Sequence, residues 1–474
     1  MISALRLLVG CLGILVTLKS ETAAPHVHRL EIADCDDVAF GPEGDLYLAC
    51  HSPEDRLQID VRGAKAVPDE MDGYVLRFNP QMGKLIYATR IGGSSIDAAL
   101  RVEVDRAGFA YATGLTKSGD FPVTADALQA KFGGGDSDAF LVKLAPDGQI
   151  AYATLIGGSS DDLGNGLDLD DGGNVYLGGV TSSSDFPAQR RLRKSAEADV
   201  FVCRLRPADN ANTCRVFGGG QEEKLTGIAL DTKRGIYAVG YTRSADFPTK
   251  DPVQPTLAGP SDLFLTRLTL PALEISFSTF FGGNGDDSGW GIAIDRSGNP
   301  VVAGITDSMD LPRTSGAYQH ANGGKRDAFL ASFRGRHLRD IRATYFGGSN
   351  DDESGYDGGD IKVDRRGNIW IAGITLSTDL PTRNAPQPQF GGGNGDGFVA
   401  AFTPDLRNLC FSSYHGGRDR NLLEGLAISA SGMVAATGVS FAEGPSAFHI
   451  QLRRTTVYAG AFVLLFRGDG ACPD

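Results

Sequence analysis

The chain has 474 residues, of which 41% are hydrophobic and 22% charged, with 63 glycines and a formal net charge of −13. That acidic balance disfavours nucleic acid as a partner, because phosphate is repelled. The length would ordinarily suggest two or three domains, but no disordered linker or long helical period divides the chain.

In chain order, Arg6 precedes an apolar run from Leu7 to Leu18, followed by polar residues and the small pair Ala23 and Ala24, the order of a secretory signal. The run is too short to span a bilayer. Leu8-Val9-Gly10-Cys11 also fits a lipoprotein cleavage pattern, but Cys11 lies unusually early. Residues 1–24 are therefore read as a signal peptide and 25–474 as one domain, secreted, on the cell surface or in the periplasm, with no transmembrane segment in the mature chain.

His26 to Ile32 is strand-like but belongs to no repeat. Repeats begin after it. A strand ends at Cys50, Gly114, Gly179, Gly240, Gly304, Gly373 and Gly438, in steps of 61 to 69 residues. A second strand marker keeps the same beat, with an aromatic at Tyr74, Phe140, Phe201, Phe264, Phe329, Phe398 and Phe462 opening an alternating apolar run. A fixed period with strand-type cores is the signature of a repeat architecture.

Residues 151 to 210 show one whole unit: a strand Ala151 to Ile156 ending in Gly157-Gly158, a polar loop Ser159 to Asn165, a strand Gly166 to Asp170, a turn, a strand Val175 to Gly179, a long loop, and a strand Val200 to Leu205. Four strands per unit predict an all-β, seven-bladed β-propeller of four-stranded blades. With strands named A to D outward from the axis, the D strand occurs before Gly92, Gly157, Gly218, Gly282, Gly347 and Gly416 but not after Phe466. The His26 to Ile32 segment is expected to complete the last blade and close the ring. A closed ring of this kind is expected to be a monomer.

Export licenses disulfides. Cys35 and Cys50 straddle an A to B turn and Cys203 and Cys214 a C to D turn, so each pair is expected to be bonded; Cys410 and Cys472 remain, and a bond between them would tie down the tail. No CxxC metal spacing is present.

The A to B and C to D turns are short and share one face; the long D to A and B to C loops share the other, where a ligand would meet varied chemistry. That face is acidic. Asp97, Asp161, Asp162, Glu222, Glu223, Asp286, Asp287, Asp351, Asp352 and Glu353 fall in successive D to A loops, and Asp120, Asp185, Asp246, Asp310 and Asp379 each precede Phe-Pro or Leu-Pro. Such a ring could hold calcium or attract a cationic partner. Recurrence at equivalent positions favours a structural reading, in which Asp accepts backbone N–H bonds and sets the turn. Asp168-Leu169-Asp170-Asp171-Gly172 superficially resembles a calcium loop, but its first acids fall on strand A.

The units resemble the SBBP repeat, a bacterial beta-propeller repeat running Tyr-x-Thr-x-x-Gly-Gly-x-x-x-Asp-Asp, an apolar-x-apolar-Asp-x-x-Gly-Asn strand pair, Thr-x-Ser-x-Asp-Phe-Pro and Asp-Ala-Phe-apolar. The pattern is closest in residues 152–203 and 277–332 and recurs from about 34 to 466. The resemblance implies an exported or cell-surface propeller without assigned catalysis and supplies no active site. Departures include His51-Ser52-Pro53 and Ser440-Phe441-Ala442 in place of Thr-x-Ser, Arg234-Gly235 in place of Gly-Asn, and a longer D to A loop, Ser349 to Gly359, containing Tyr356 and Asp357.

Enzyme signatures are absent: no close histidine pair beyond His26-x-His28, no Gly-x-Ser-x-Gly elbow, and two tryptophans, Trp290 and Trp370. The sequence reading is a non-catalytic binding or structural module for an extracellular protein or carbohydrate, without a cofactor. The candidate contacts are Asp161, Asp162, Asp286, Asp287, Trp290, Asp351, Asp352, Tyr356 and Asp357. The alternatives are a polysaccharide hydrolase or lyase with carboxylates at the channel mouth and a calcium-dependent adhesion scaffold.

Overall fold

Seven predominantly antiparallel sheets account for the regular structure, with no helix among the described residues. The computed structural model describes residues 26–29, 34–53, 61–62, 71–81, 83–192, 197–209, 211–312, 314–354, 360–442, 448–452, 455–468 and 472. Residues 1–24, with Cys11, lie outside that set, as do Tyr356 and Asp357.

Each sheet is one blade of a β-propeller. Blade 3 runs Asp162–Leu169, Val175–Thr181, Asp199–Arg206 and Ala211–Phe217, from strand A to strand D. The A strands of the other blades, in order, are Asp34–Phe40, Asp97–Val104, Glu223–Asp231, Asp287–Ile294, the pair Asp352–Glu353 and Ile361–Val363, and Arg420–Ile428. Consecutive A strands pack against each other around the ring, the last against the first.

Strand A is longer than the sequence suggests. It starts at Asp162, not Gly166, because Asp162 to Gly164 pair with Gly179–Thr181 and the strand then bulges at Asn165, between Gly164 and Gly166. The same bulge recurs in blades 1, 2, 4, 5 and 7. It explains the most regular sequence marker. A Cβ on Gly114, Gly179 or Gly240 would lie 1.9 Å from the carbonyl oxygen of Ala98, Leu163 or Lys224 in the bulged strand, so in these blades a side chain could enter only if the strands moved apart. In blade 1 the position is Cys50, opposite Cys35.

The core lies between blades. Apolar clusters fill the junctions, as with Tyr111, Leu141, Leu177 and Phe201 between blades 2 and 3. The cluster of Val38, Leu48, Val463 and Leu465 joins blade 7 to blade 1. Large side chains removed from water on both faces of each sheet supply the main cohesive term. The Phe of the Asp-Phe-Pro segment is part of this core: Phe186 packs on Phe201 with ring centroids 4.5 Å apart, and Phe121 on Phe140 at 4.9 Å.

His26–Arg29 forms the outer strand of blade 7, antiparallel to Thr455–Arg467, in register His26 with Leu465 through Arg29 with Phe462. All three expected disulfides are present, Cys35–Cys50, Cys203–Cys214 and Cys410–Cys472. The first two join directly opposed residues of neighbouring strands.

Candidate functional site

The acids of the long-loop face divide by depth. In blades 2 to 6 the first residue of strand A is Asp97, Asp162, Glu223, Asp287 or Asp352, and each is 0% exposed. In blade 3, Asp162 Oδ2 accepts hydrogen bonds from Gly158 N at 2.7 Å and Ser183 Oγ at 2.8 Å. Asp185 accepts from Ser159 N and Oγ, both at 2.8 Å, and Ser160 N donates to Ser183 Oγ at 2.9 Å. The Gly-Gly and Thr-x-Ser-x-Asp segments are therefore two halves of one latch joining strand D to the next strand A. Blade 5 repeats it through Asp287, Ser308 and Asp310, and blade 6 through Asp352, Ser377 and Asp379.

A second buried acid opens strand C. Asp138 accepts from Gly133 N at 2.7 Å and Gln129 Nε2 at 3.1 Å, while Gln129 Oε1 takes the Gly157 amide at 3.0 Å. Burial pushes the carboxyls of Asp97, Asp138, Asp162 and Asp287 up to about 6 and that of Asp327 to about 7, against the pull of their hydrogen bonds. Asp185 and Asp379, at the surface, are held below the ordinary carboxylate value by serine amides. Among the expected contacts, Asp161 and Asp286 are exposed and Asp351 half-buried. Asp161 accepts from Asp136 N at 2.6 Å and Asp286 from Ser261 Oγ at 2.8 Å.

The repeat symmetry breaks at the axis. Two columns of strand A face the central channel, fixed by their register against strand B. In the first column four blades carry Ala39, Ala229, Ala293 and Ala427, and the other three carry Glu103, Asp168 and Lys362. Two residues earlier, four blades carry Gly166, Gly227, Gly291 and Gly425, and the rest carry Asp37, Arg101 and Asp360. Alternation along a strand puts both columns on one face. The six charged side chains line one cavity of about 220 Å³, against a smooth wall of Gly227, Ala229, Gly291 and Ala293.

Inside it, Lys362 Nζ lies 3.1 Å from Asp360 Oδ1. Asp37 accepts from Val102 N at 2.9 Å, Asp168 from Leu230 N at 2.8 Å and Asp360 from Leu426 N at 2.9 Å. Each acid thus also fastens its blade to the next. Burial, reinforced by Asp360, pushes Asp37 up to about 7. Burial pushes Glu103 to about 8, with Lys362 opposing and Asp168 and Asp37 adding to the rise. Asp168 rises to about 6, again mainly through burial. Burial opposes the charge of Lys362, but Asp360, Asp37 and Glu103 outweigh it and hold the lysine above its ordinary value. The Glu103 carboxyl makes no hydrogen bond among the described residues.

Trp290 is the bulge residue of blade 5 and lines the same cavity, with Lys224 Nζ 5.3 Å from its ring centroid. Trp370, by contrast, is core. At the seam of blades 7 and 1, His51 Nδ1 lies 3.0 Å from Asp36 Oδ2. Burial opposes the imidazolium, but the charge and hydrogen bond of Asp36 raise His51 to about 9. Among the described residues, no group of three or more His, Cys, Asp or Glu is arranged to hold a metal ion.

Sequence reasoning followed the loop acids; of the channel acids it noted only Asp168, as part of a superficial calcium-loop pattern on strand A. Aligning strand A across the repeats would have found them, because Glu103, Lys362, Asp37 and Asp360 stand where other copies have alanine or glycine.

A profile for the SBBP family, described as a beta-propeller repeat, matches residues 151–187, so this unit carries an SBBP repeat. The chain is 24% identical over 331 residues to the regulatory protein FlaEY of Caulobacter vibrioides, covering 64% of this chain; it spans only 33% of that protein's length. Among solved structures, the Pan2 WD40 domain of Neurospora crassa is 8% identical, with a TM-score of 0.44 over 92% of this chain and 89% of that one. The polysaccharide lyase Uly1 is 9% identical, with a TM-score of 0.45 over 93% and 99%. No helix among the described residues is long and apolar enough to cross a membrane.

Proposed function

We propose that this protein is an exported binding module that seats the polar end of a glycan, or of a loop of a partner protein, at the axial channel. The observation that carries the reading is the broken symmetry of the channel wall. Charged side chains from blades 1, 2, 3 and 6 face glycine and alanine on blades 4 and 5, whereas the loop acids repeat with the scaffold and are engaged in latching it. A structural residue recurs with its repeat; one that contacts a ligand has no reason to. The cavity, about 220 Å³, falls below the roughly 300–1,000 Å³ of ordinary small-molecule sites, so it admits one sugar residue or one side chain rather than a whole ligand. Three disulfides fit an oxidising, extracytoplasmic compartment.

The test is a screen of the purified protein against glycans and extracellular proteins, repeated with Lys362→Met and Glu103→Gln. Binding should weaken by about tenfold or more in at least one variant that remains folded at the temperature of the assay, the loss of one charge-assisted contact. Equal binding by both variants would remove the channel from the site.

One observation favours catalysis as a second reading. Glu103, pushed up to about 8 by burial and with no hydrogen bond to its carboxyl among the described residues, has the protonation state of a general acid at neutral pH. Turnover of a polysaccharide, abolished in Glu103→Gln with binding retained, would establish that reading over simple binding.

A further inference from the structure

A second departure from the repeat lies on the opposite, short-turn face. The C to D turn reads Ala145-Pro146-Asp147-Gly148 in blade 2 and Thr403-Pro404-Asp405 in blade 6, but Arg334-Gly335-Arg336-His337 in blade 5. The A to B turn of blade 4 places Arg234 where other copies have glycine. These two unrelated irregularities meet in space. With Arg267 and Arg342 they line one open cleft of about 910 Å³ between blades 4 and 5, which holds five arginines against Asp251 and Asp340.

The positive charge there is only partly compensated. The side chains of Arg334 and Arg336 make no ion pair or hydrogen bond among the described residues, and Arg267 Nε donates to Ser276 Oγ at 2.9 Å. Arg342 stands 3.6 Å from Asp340, and Arg234 lies 3.7 Å from Asp231 and donates to the Gly298 and Ser297 carbonyls at 2.5 and 2.8 Å. Arg77, at the position of Arg267 in blade 1, is instead closed off by Asp45 at 2.7 Å and Glu43 at 2.9 Å. A basic cleft on a chain of net charge −13 concentrates an anion at one place and repels it elsewhere. Guanidinium groups match carboxylate and sulfate oxygens two at a time. The lining contains no Phe, Tyr, Trp or aliphatic side chain, whereas protein partners are normally held by such anchors. Its remaining donors and acceptors, including Thr269, Ser276 and Asn299, suit sugar hydroxyls.

We propose that the cleft between blades 4 and 5 on the short-turn face binds an anionic glycan, a sugar chain carrying carboxylate or sulfate groups. The site shares no residue with the axial channel, so either can fail without the other.

Affinity electrophoresis of the full chain through gels containing polygalacturonate, dextran sulfate or neutral dextran tests it, alongside poly-glutamate in solution. The parent should be retarded by polygalacturonate or dextran sulfate, the responding polymer telling carboxylate from sulfate, and not by dextran; retardation should fall with added salt. Arg334→Gln with Arg336→Gln, both on a surface turn, should weaken binding about tenfold or more, and Arg106→Gln, an exposed arginine on blade 2, should not. Arg234→Gln with Arg267→Gln gives a second variant should the first lose its parent's thermal midpoint. Absence of retardation at low salt, or parental binding by a folded double variant, overturns the proposal. Binding of poly-glutamate as tight as that of the glycans overturns it in favour of an acidic protein segment.

Discussion

Asp162 shows how one residue type serves two purposes in this chain. Its carboxylate is the acceptor for Gly158 N and Ser183 Oγ, and replacing it by alanine strands both donors in a dry site. Asp162→Ala should cost about 1–3 kcal/mol or more in urea unfolding; a loss near zero would show that the latch is ornamental. The latch acids also set a pH dependence. Their folded values of about 6 to 7 lie above the unfolded value of about 3.9. Between pH about 4 and about 7 the folded chain therefore holds protons that the unfolded chain has released, so stability is greatest at the acidic end and falls as pH rises. The thermal midpoint should be higher at pH 5 than at pH 8, and a midpoint rising with pH over that window would contradict the buried assignment. Sequence alone marked Asp162 and Asp185 as turn-setting through their recurrence, but could not show that one is buried and the other exposed. Both precede an apolar residue among polar ones, and depth is decided by how the loops fold over.

The legible elements were those whose apolar alternation is unbroken. Strands B, C and D fell within a residue or two of their observed ends, since the repeated glycine and aromatic bound them. Strand A was set four residues short because Asp162, Gly164 and Asn165 read as loop, and a bulge has no signature of its own in one copy. The bulge makes a sharp prediction at the element level. Gly179→Ala would place Cβ 1.9 Å from Leu163 O, and the strands cannot both stay; destabilisation of at least about 1–3 kcal/mol is expected. Gly173→Ala, at a turn glycine with φ of 78° and no atom near its Cβ, should cost about 1 kcal/mol, from backbone conformation alone. Calorimetry on the two variants separates packing from conformation, and equal losses would refute the bulge as the reason for the glycine.

For the whole molecule, the blade number followed from counting the repeats, and counting six outer strands for seven units led to the expectation that an outer strand is supplied by the segment at His26. Its pairing with Thr455–Arg467 joins distant parts of the chain, so deleting residues 26–29 should lower the thermal midpoint of the entire ring as one cooperative transition. Loss confined to blade 7, with the other blades melting as before, would show that the pairing is local. The binding reading was far less legible, because the channel charges come from four blades spread over most of the chain and converge only in the folded ring. Their exceptional status is visible in the repeat columns, but which columns face the axis is a property of the fold.

Hydrogen exchange on the protein with and without a saturating ligand from the screen tests most directly whether the axial channel is the site. Protection is predicted at the inner strands Asp34–Phe40, Asp97–Val104, Asp162–Leu169 and Ile361–Val363. Protection restricted to the long loops or the outer strands, with these four unchanged, would contradict it.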